Sequence, residues 1–177
     1  ADGSKDRCEY ETPLEGLIET LKANNYTMVE LITIRNSAEV LAEYVSAIRK
    51  AGIALVAGTE HNTLDLLPMK PACVGGEAVP PEIDAIFKEG ICVLAARAFL
   101  KAHGEDGFVD EQESGANERI ERFSRIGAVV LKKYFDNYLC LKQLKFLLLP
   151  VRHEEIPHRC QKFLLFVIIW ELKLLKI

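Results

Sequence analysis

The run Ile53-Ala54-Leu55-Val56-Ala57, closed by Gly58 and then polar residues, constrains the chain more than any other stretch. An apolar run that short, bounded by Gly, reads as a buried parallel strand that ends at a rim. Tyr26 to Ile34 is β-branched and apolar, with Glu30 inside it, and reads as an earlier strand. Between them, Asn36 and Glu39 give a helix-start signal, and Val40, Leu41, Tyr44, Val45 and Ile48 trace one apolar face. Gly52 is suited to the residue just past the helix end. The result is a strand–helix–strand unit of about 30 residues, which makes the two strands parallel.

Parallel neighbours bring their carboxyl ends to one rim, where α/β folds place their chemistry. Arg35 and Asn36 then share a rim with Gly58-Thr59-Glu60-His61-Asn62-Thr63. A Glu beside a His can bind a metal or move a proton. The alternative is a loop cap, with Thr59 or Asn62 bonding backbone and His61 exposed. Adjacent side chains on an extended chain point apart, so Glu60 and His61 share one ion only if the chain turns at Glu60.

The flanking elements follow from their punctuation. Thr12-Pro13-Leu14-Glu15 reads as a capping box with Pro at the first helical position, and Asn24-Asn25 ends that helix. Leu14, Leu17, Ile18 and Leu21 line its apolar face. Residues 62–80, with Pro68, Pro71, Gly75, Gly76 and Pro80, read as a long loop of the lid or binding kind. Pro81 opens a third helix with Ile83, Ile86, Phe87, Ile91, Leu94 and Ala98 inward, and Gly90 signals close packing. Gly104 stops it after His103, a residue suited to the helix dipole. Residues 105–115 are acidic and loop-like. A last clear helix runs from Asn117 to Tyr134 through Ile120, Phe123, Ile126, Val130 and Leu131.

From Tyr138 the composition changes. Residues 138–177 contain no Gly, Ala, Ser, Thr, Asp or Met, and Leu, Ile, Phe and Lys dominate. The chain divides on this reading into an α/β domain fragment at 1–137 and an apolar, basic tail at 138–177. The tail reads as helical, or as a foreign or frame-shifted segment. Phe163 to Trp170 is too short for a membrane span, which needs roughly 17 to 25 residues. Lys142, Lys145, Lys162, Lys173 and Lys176 suit a membrane surface. His153-Glu154-Glu155 with His158-Arg159-Cys160 offers a zinc half-site, interrupted by Pro157.

The totals bound the rest. A chain of 177 residues accommodates one domain with an appendage. The net charge of −4 argues against a nucleic-acid surface. Five cysteines, at 8, 73, 92, 140 and 160, include no C-x-x-C pair and suit reduced thiols in a cytoplasmic protein. Cys73 has no activating His nearby in sequence, and Gly75-Gly76 is not a phosphate-cradling fingerprint. The first residues, Ala1-Asp2-Gly3-Ser4, lack an initiator Met, as in a processed chain or excised fragment.

The segment Ala57-Gly58-Thr59-Glu60-His61-Asn62-Thr63-Leu64-Asp65, followed by Leu67-Pro68, resembles the last part of the PHP domain, that of the polymerase-and-histidinol-phosphatase-type phosphoesterases. So does Gly90-Ile91-Cys92-Val93-Leu94-Ala95-Ala96, and the resemblance spans residues 13–136. It implies a distorted β/α barrel with divalent metals, zinc or manganese, at the strand ends. A metal-bound hydroxide would attack a phosphoester of a small phosphorylated substrate. Glu60 and His61 occupy a matching strand end as catalytic residues and metal ligands. Arg35, Asn36 and Asn62 are the substrate-binding candidates, Arg35 toward a phosphate. The family's His-x-His motif is missing, since no two of the four histidines are separated by one residue. Two strands also cannot close a barrel.

The fold expectation is therefore α/β: a partial β/α-barrel-like unit with parallel strands at about 26–34 and 53–58, flanking helices and the tail. The functional expectation is a fragment of a metal-dependent hydrolase, with no nucleic-acid partner and no transmembrane span. The alternative is a non-catalytic structural or interaction module that self-associates through its sheet edges or residues 138–177.

Overall fold

A computed structural model of the chain describes residues 13–59, 69–108 and 115–145, with side chains to 136. Helix α1 spans Leu14–Ala23, strand β1 Met28–Ile32, helix α2 Ala38–Lys50, strand β2 Ala54–Gly58, helix α3 Pro81–Ala102 and helix α4 Ala116–Lys145. The strands pair in parallel, with Met28 opposite Ala54 and Ile32 opposite Gly58. Among the described residues the sheet has these two strands, so the fold is mixed α/β and helix-rich, without a closed barrel.

Local chemistry sets the boundaries. Helix α1 starts one residue later than its sequence suggests, with Pro13 as the cap; Thr12 lies outside the described residues. Asn25 takes a left-handed φ of 56°, the N–H of Tyr26 donates to Leu21 O at 2.9 Å, and the N–H of Asn25 donates to Lys22 O at 3.0 Å. That is a Schellman closure with Asn in the glycine position. Helix α2 closes the same way: Gly52 has φ 84°, and the N–H of Ile53 donates to Ile48 O at 3.3 Å. The cap of α2 is Ser37, not the expected Asn36, because Ser37 Oγ accepts from the N–H of Val40 at 3.3 Å. The Glu39 carboxyl beside it is held below the usual range, first by its own backbone N–H and then by Ser37.

β1 is shorter than the apolar run 26–34. Thr33–Arg35 forms a 3-10 turn, closed by the Asn36 N–H donating to Thr33 O at 3.0 Å. Thr33 is buried at 1% exposure, which draws the backbone inward and ends the strand.

The strand alternation divides the interior. Leu55 and Ala57, with Val29 and Leu31, join Leu41, Val45 and Ile48 of α2 in one core that also takes the apolar face of α1. Ala54 and Met28 join a second core with Val93, Ala96, Phe108, Ile120 and Phe123. Helix α3 serves both. Ile83 and Phe87 enter the first core, and Val93 and Ala96 enter the second. A one-sided stripe therefore misreads α3: Ile91 and Leu94 are only half-buried and Ala98 is exposed.

Two glycines mark close approaches of backbone to backbone. A Cβ at Gly90 of α3 would collide with the Leu55 carbonyl oxygen, and one at Gly127 of α4 with the Cys92 carbonyl oxygen. Arg49 of α2 ties the same elements from outside: its Nη2 donates to Glu89 Oε1 at 3.0 Å, its Nε donates to Glu89 Oε2, and Nη1 donates to Asn117 Oδ1. The Glu89 hydrogen bond also raises the Arg49 pKa. At the start of α4, Glu118 Oε2 accepts from the Gly115 N–H at 3.1 Å, half of a capping box. Helix α4 continues through Tyr138 to Lys145, so the change of composition falls inside a helix.

Exchanging Gly for Ala inside a helix normally gains about 1 kcal/mol. Overpacking typically costs 1–3 kcal/mol, and a backbone carbonyl cannot rotate away as a side chain can. Gly90→Ala and Gly127→Ala are each expected to lose about 1–3 kcal/mol net in urea unfolding. A gain in stability in either variant would contradict this packing.

Candidate functional site at the carboxyl rim of the strands

The β1–β2 register carries both strands to a common end at Ile32 and Gly58. The chain leaves β1 through the turn Thr33–Arg35 and leaves β2 at Thr59. Arg35 and Asn36 therefore share a rim with Gly58-Thr59. Glu60, His61 and Asn62 follow Thr59 and lie outside the described residues.

Asn36 has several hydrogen bonds here. Its Nδ2 donates to Ile32 O at 2.9 Å, and its carbonyl accepts from the Val74 N–H at 2.9 Å. The side chain thus braces the turn after β1, and the main chain fastens the loop 69–80 to it. That loop is more structured than its Pro and Gly content suggests. Ala72 and Ala78 form an antiparallel bridge, Val74–Gly76 is a 3-10 turn, and the Cys73 N–H donates to Glu77 O at 2.7 Å. The diglycine supplies the turn's positive φ values, 72° and 81°.

Gly58 brings in Glu30, whose place in the sequence marks it only as an acid within a strand. A Cβ there would meet both the Glu30 carboxylate and Ile32 Cδ1. The exposed Glu30 carboxylate therefore lies over the end of β2, just before Glu60-His61 in sequence. The available signal was a lone acid in the middle of an apolar strand, three positions before the buried Thr33.

The other reactive side chains are placed elsewhere. Cys73 is fully buried and Cys92 half-buried, and neither is in a disulfide. Burial raises the Cys73 pKa from its ordinary value of 9.0, and the charges of Glu77 and Glu39 add to it. A buried thiol that resists ionisation is a poor nucleophile. His103 caps α3, and its Nδ1–H donates to Phe99 O at 2.8 Å. Its ring also packs on Phe99 with centroids 4.2 Å apart. Cys8, Cys160 and the His153–Cys160 half-site lie outside the described residues.

Among the described residues no group of three or more His, Cys, Asp or Glu is placed to hold a metal ion. Among the same residues no helix is long and apolar enough to cross a membrane. No family model, no curated protein and no solved structure matches this chain.

The Cys73 thiol makes the stability pH-dependent with a definite sign. Its folded pKa exceeds its unfolded value, so its contribution is fully present below the unfolded pKa. It is lost as pH rises above about 9 and through the higher folded value. Urea midpoints are expected to fall above pH 9 in the native chain and to fall less in Cys73→Ala. Identical alkaline slopes in both would rule out this role for Cys73.

Proposed function

We propose that this chain carries the carboxyl-terminal α/β part of a metal-dependent phosphoesterase or related hydrolase of the PHP type. In that reading β1 and β2 belong to a partial β/α barrel, and their shared rim is the site. The observation that supports it best is the parallel register, Ile32 opposite Gly58, with the Glu30 carboxylate over Gly58. On this reading one end of the pair would bring together Glu30, Arg35 and the segment leading to Glu60-His61-Asn62.

The donor types suit the chemistry. Glu30, Glu60 and His61 offer the carboxylate and imidazole ligands that zinc and manganese accept. A divalent ion, when bound, supplies a water of lowered pKa as the nucleophile. The chain's own residues would do the rest. Arg35 would bind the phosphate of a small substrate through its guanidinium fork. Asn36 would contact substrate through its side-chain oxygen while its Nδ2, bonded to Ile32 O, holds the turn that carries Arg35. Asn62 would orient the substrate, and Glu60 would accept a proton. Cys73 and Cys92, neither in a disulfide, accord with a cytoplasmic setting.

One observation favours a second reading, a non-catalytic interaction module. Among the described residues β1 pairs on one edge only, and its apolar side chains are half-buried where those of β2 are mostly buried. An unpaired edge is a template for another strand. Self-association through that edge, or through residues 138–177, would then be the function. Size-exclusion chromatography separates the two sources: a chain ending at Asp136 stays associated if the edge is responsible and becomes monomeric if the tail is.

The hydrolase reading is tested by metal content after loading with zinc or manganese and dialysis. About one retained ion per chain is expected, lost in His61→Ala and bound more weakly in Glu30→Gln. Equal retention in wild type and both variants, or no retention in any, would defeat it.

A further inference from the structure

A second site lies at the other end of β1, independent of the rim. Asn25, Tyr26, Thr27, Met28, Arg97, Lys101, Gly107 and Phe108 line an open cleft of about 340 Å³. Ligand clefts span roughly 300–1,000 Å³, so this one suits a small molecule. We propose that it binds a small molecule that joins an anionic group, of the phosphate or carboxylate kind, to an apolar or aromatic body.

The charge pattern supports the anionic half. Arg97 and Lys101 stand one turn apart on α3, and both are exposed. Like charges at that spacing repel and destabilise a helix, so the pair carries a local cost that a bound anion would relieve. Among the described residues Lys101 has a partner in Asp106, at a long 3.7 Å with both groups exposed. No hydrogen-bond or ion-pair partner of Arg97 is present among the described residues. The cationic cleft is set in a chain of net charge −4, so it is a local reversal of sign.

The apolar half is built from the cleft's aromatic and apolar lining. Phe108 is 6% exposed and is fixed edge-to-face against Phe123, with centroids 5.2 Å apart. The Arg119 guanidinium lies 4.9 Å from the Phe108 ring centroid and adds a third cation near it. Tyr26 is 56% exposed and supplies an aromatic surface at the mouth. Gly107 keeps the space open: a Cβ there would sit 3.0 Å from Arg97 Cγ and 3.2 Å from Lys101 Cε. The two aliphatic stems thus run beside Gly107, and both residues line the cleft. An anion held by both cations would place its attached body toward Met28, Phe108 and Tyr26.

The test titrates the isotope-labelled full chain at low salt with phenyl phosphate, inorganic phosphate and phenol in turn, reading amide shifts. Phenyl phosphate is expected to give saturable shifts at residues 25–28, 107 and 108. Each half-probe should bind at least tenfold more weakly, and added salt should weaken phenyl phosphate. In Arg97→Gln/Lys101→Gln, whose exposed positions leave the core intact, affinity should drop at least tenfold while the circular dichroism spectrum is retained. Arg35→Ala and His61→Ala should bind like the wild type, which separates this cleft from the rim. Non-saturating shifts would overturn the proposal. So would undiminished affinity in the double variant, equal affinity for inorganic phosphate, or shifts confined to residues 33–36 and 58–59.

Discussion

The contact between the backbone of α3 and the backbone of β2 at Gly90 is the constraint on which the other placements depend. Helix and strand approach so closely that a Cβ at this position would overlap the Leu55 carbonyl oxygen. A side chain here would force the two apart and open both cores, because Ile83 and Phe87 lie on one side of the contact in sequence and Val93 and Ala96 on the other. The Gly127 contact with the Cys92 carbonyl repeats the arrangement one layer out and seats α4 on α3. Dispersion falls off steeply with distance, so these backbone approaches set how well every neighbouring side chain packs. The Arg49 fork to Glu89 and Asn117 then fixes how α2, α3 and α4 lie along one another.

This packing holds β2 rigidly and leaves β1 half-covered. The difference matters at the rim. The fixed strand ends in Gly58, whose missing side chain leaves room for the Glu30 carboxylate from the neighbouring strand. The turn after β1 is held by the buried Thr33 and by Asn36, which also fastens the loop carrying Cys73. Precise placement of a functional group requires support of this kind from residues that do no chemistry themselves. In the proposed hydrolase, the buried Thr33 acts as such a support for the turn that carries Arg35. The opposite end of β1 is organised differently, by a glycine in a short loop and by two cations that repel each other.

Much of this was legible in the residues. The strand–helix–strand unit, the closing role of Gly52, the start of α3 at Pro81 and the close packing at Gly90 each follow from short-range chemistry with few alternatives. Ile83, Phe87, Ile120 and Phe123 were recognisable as core by their helical spacing, and all are buried. The failures have one physical source: tertiary context. Thr33 and Ile34 have strand propensity, yet burial of Thr33 turns the chain one residue pair early. Asn36 and Ser37 both suit a helix cap, and the bonds from Asn36 to Ile32 and Val74 leave the cap to Ser37. Val93 and Ala96 lie off the apolar stripe because α3 is packed on two sides. Glu30 could be seen in the sequence, but only the strand register shows that it overlies Gly58.

The most direct test of the rim as the site is paramagnetic broadening by manganese, read amide by amide on the full chain. A manganese ion held there broadens residues 33–36 and 58–59 first, at substoichiometric metal, and residues 25–27, 107 and 108 beyond the start of β1 distinctly less. His61→Ala should restore the rim signals. Broadening absent from the rim, or equal at both ends of the strands, would contradict the assignment of the metal site to Glu30, Glu60 and His61.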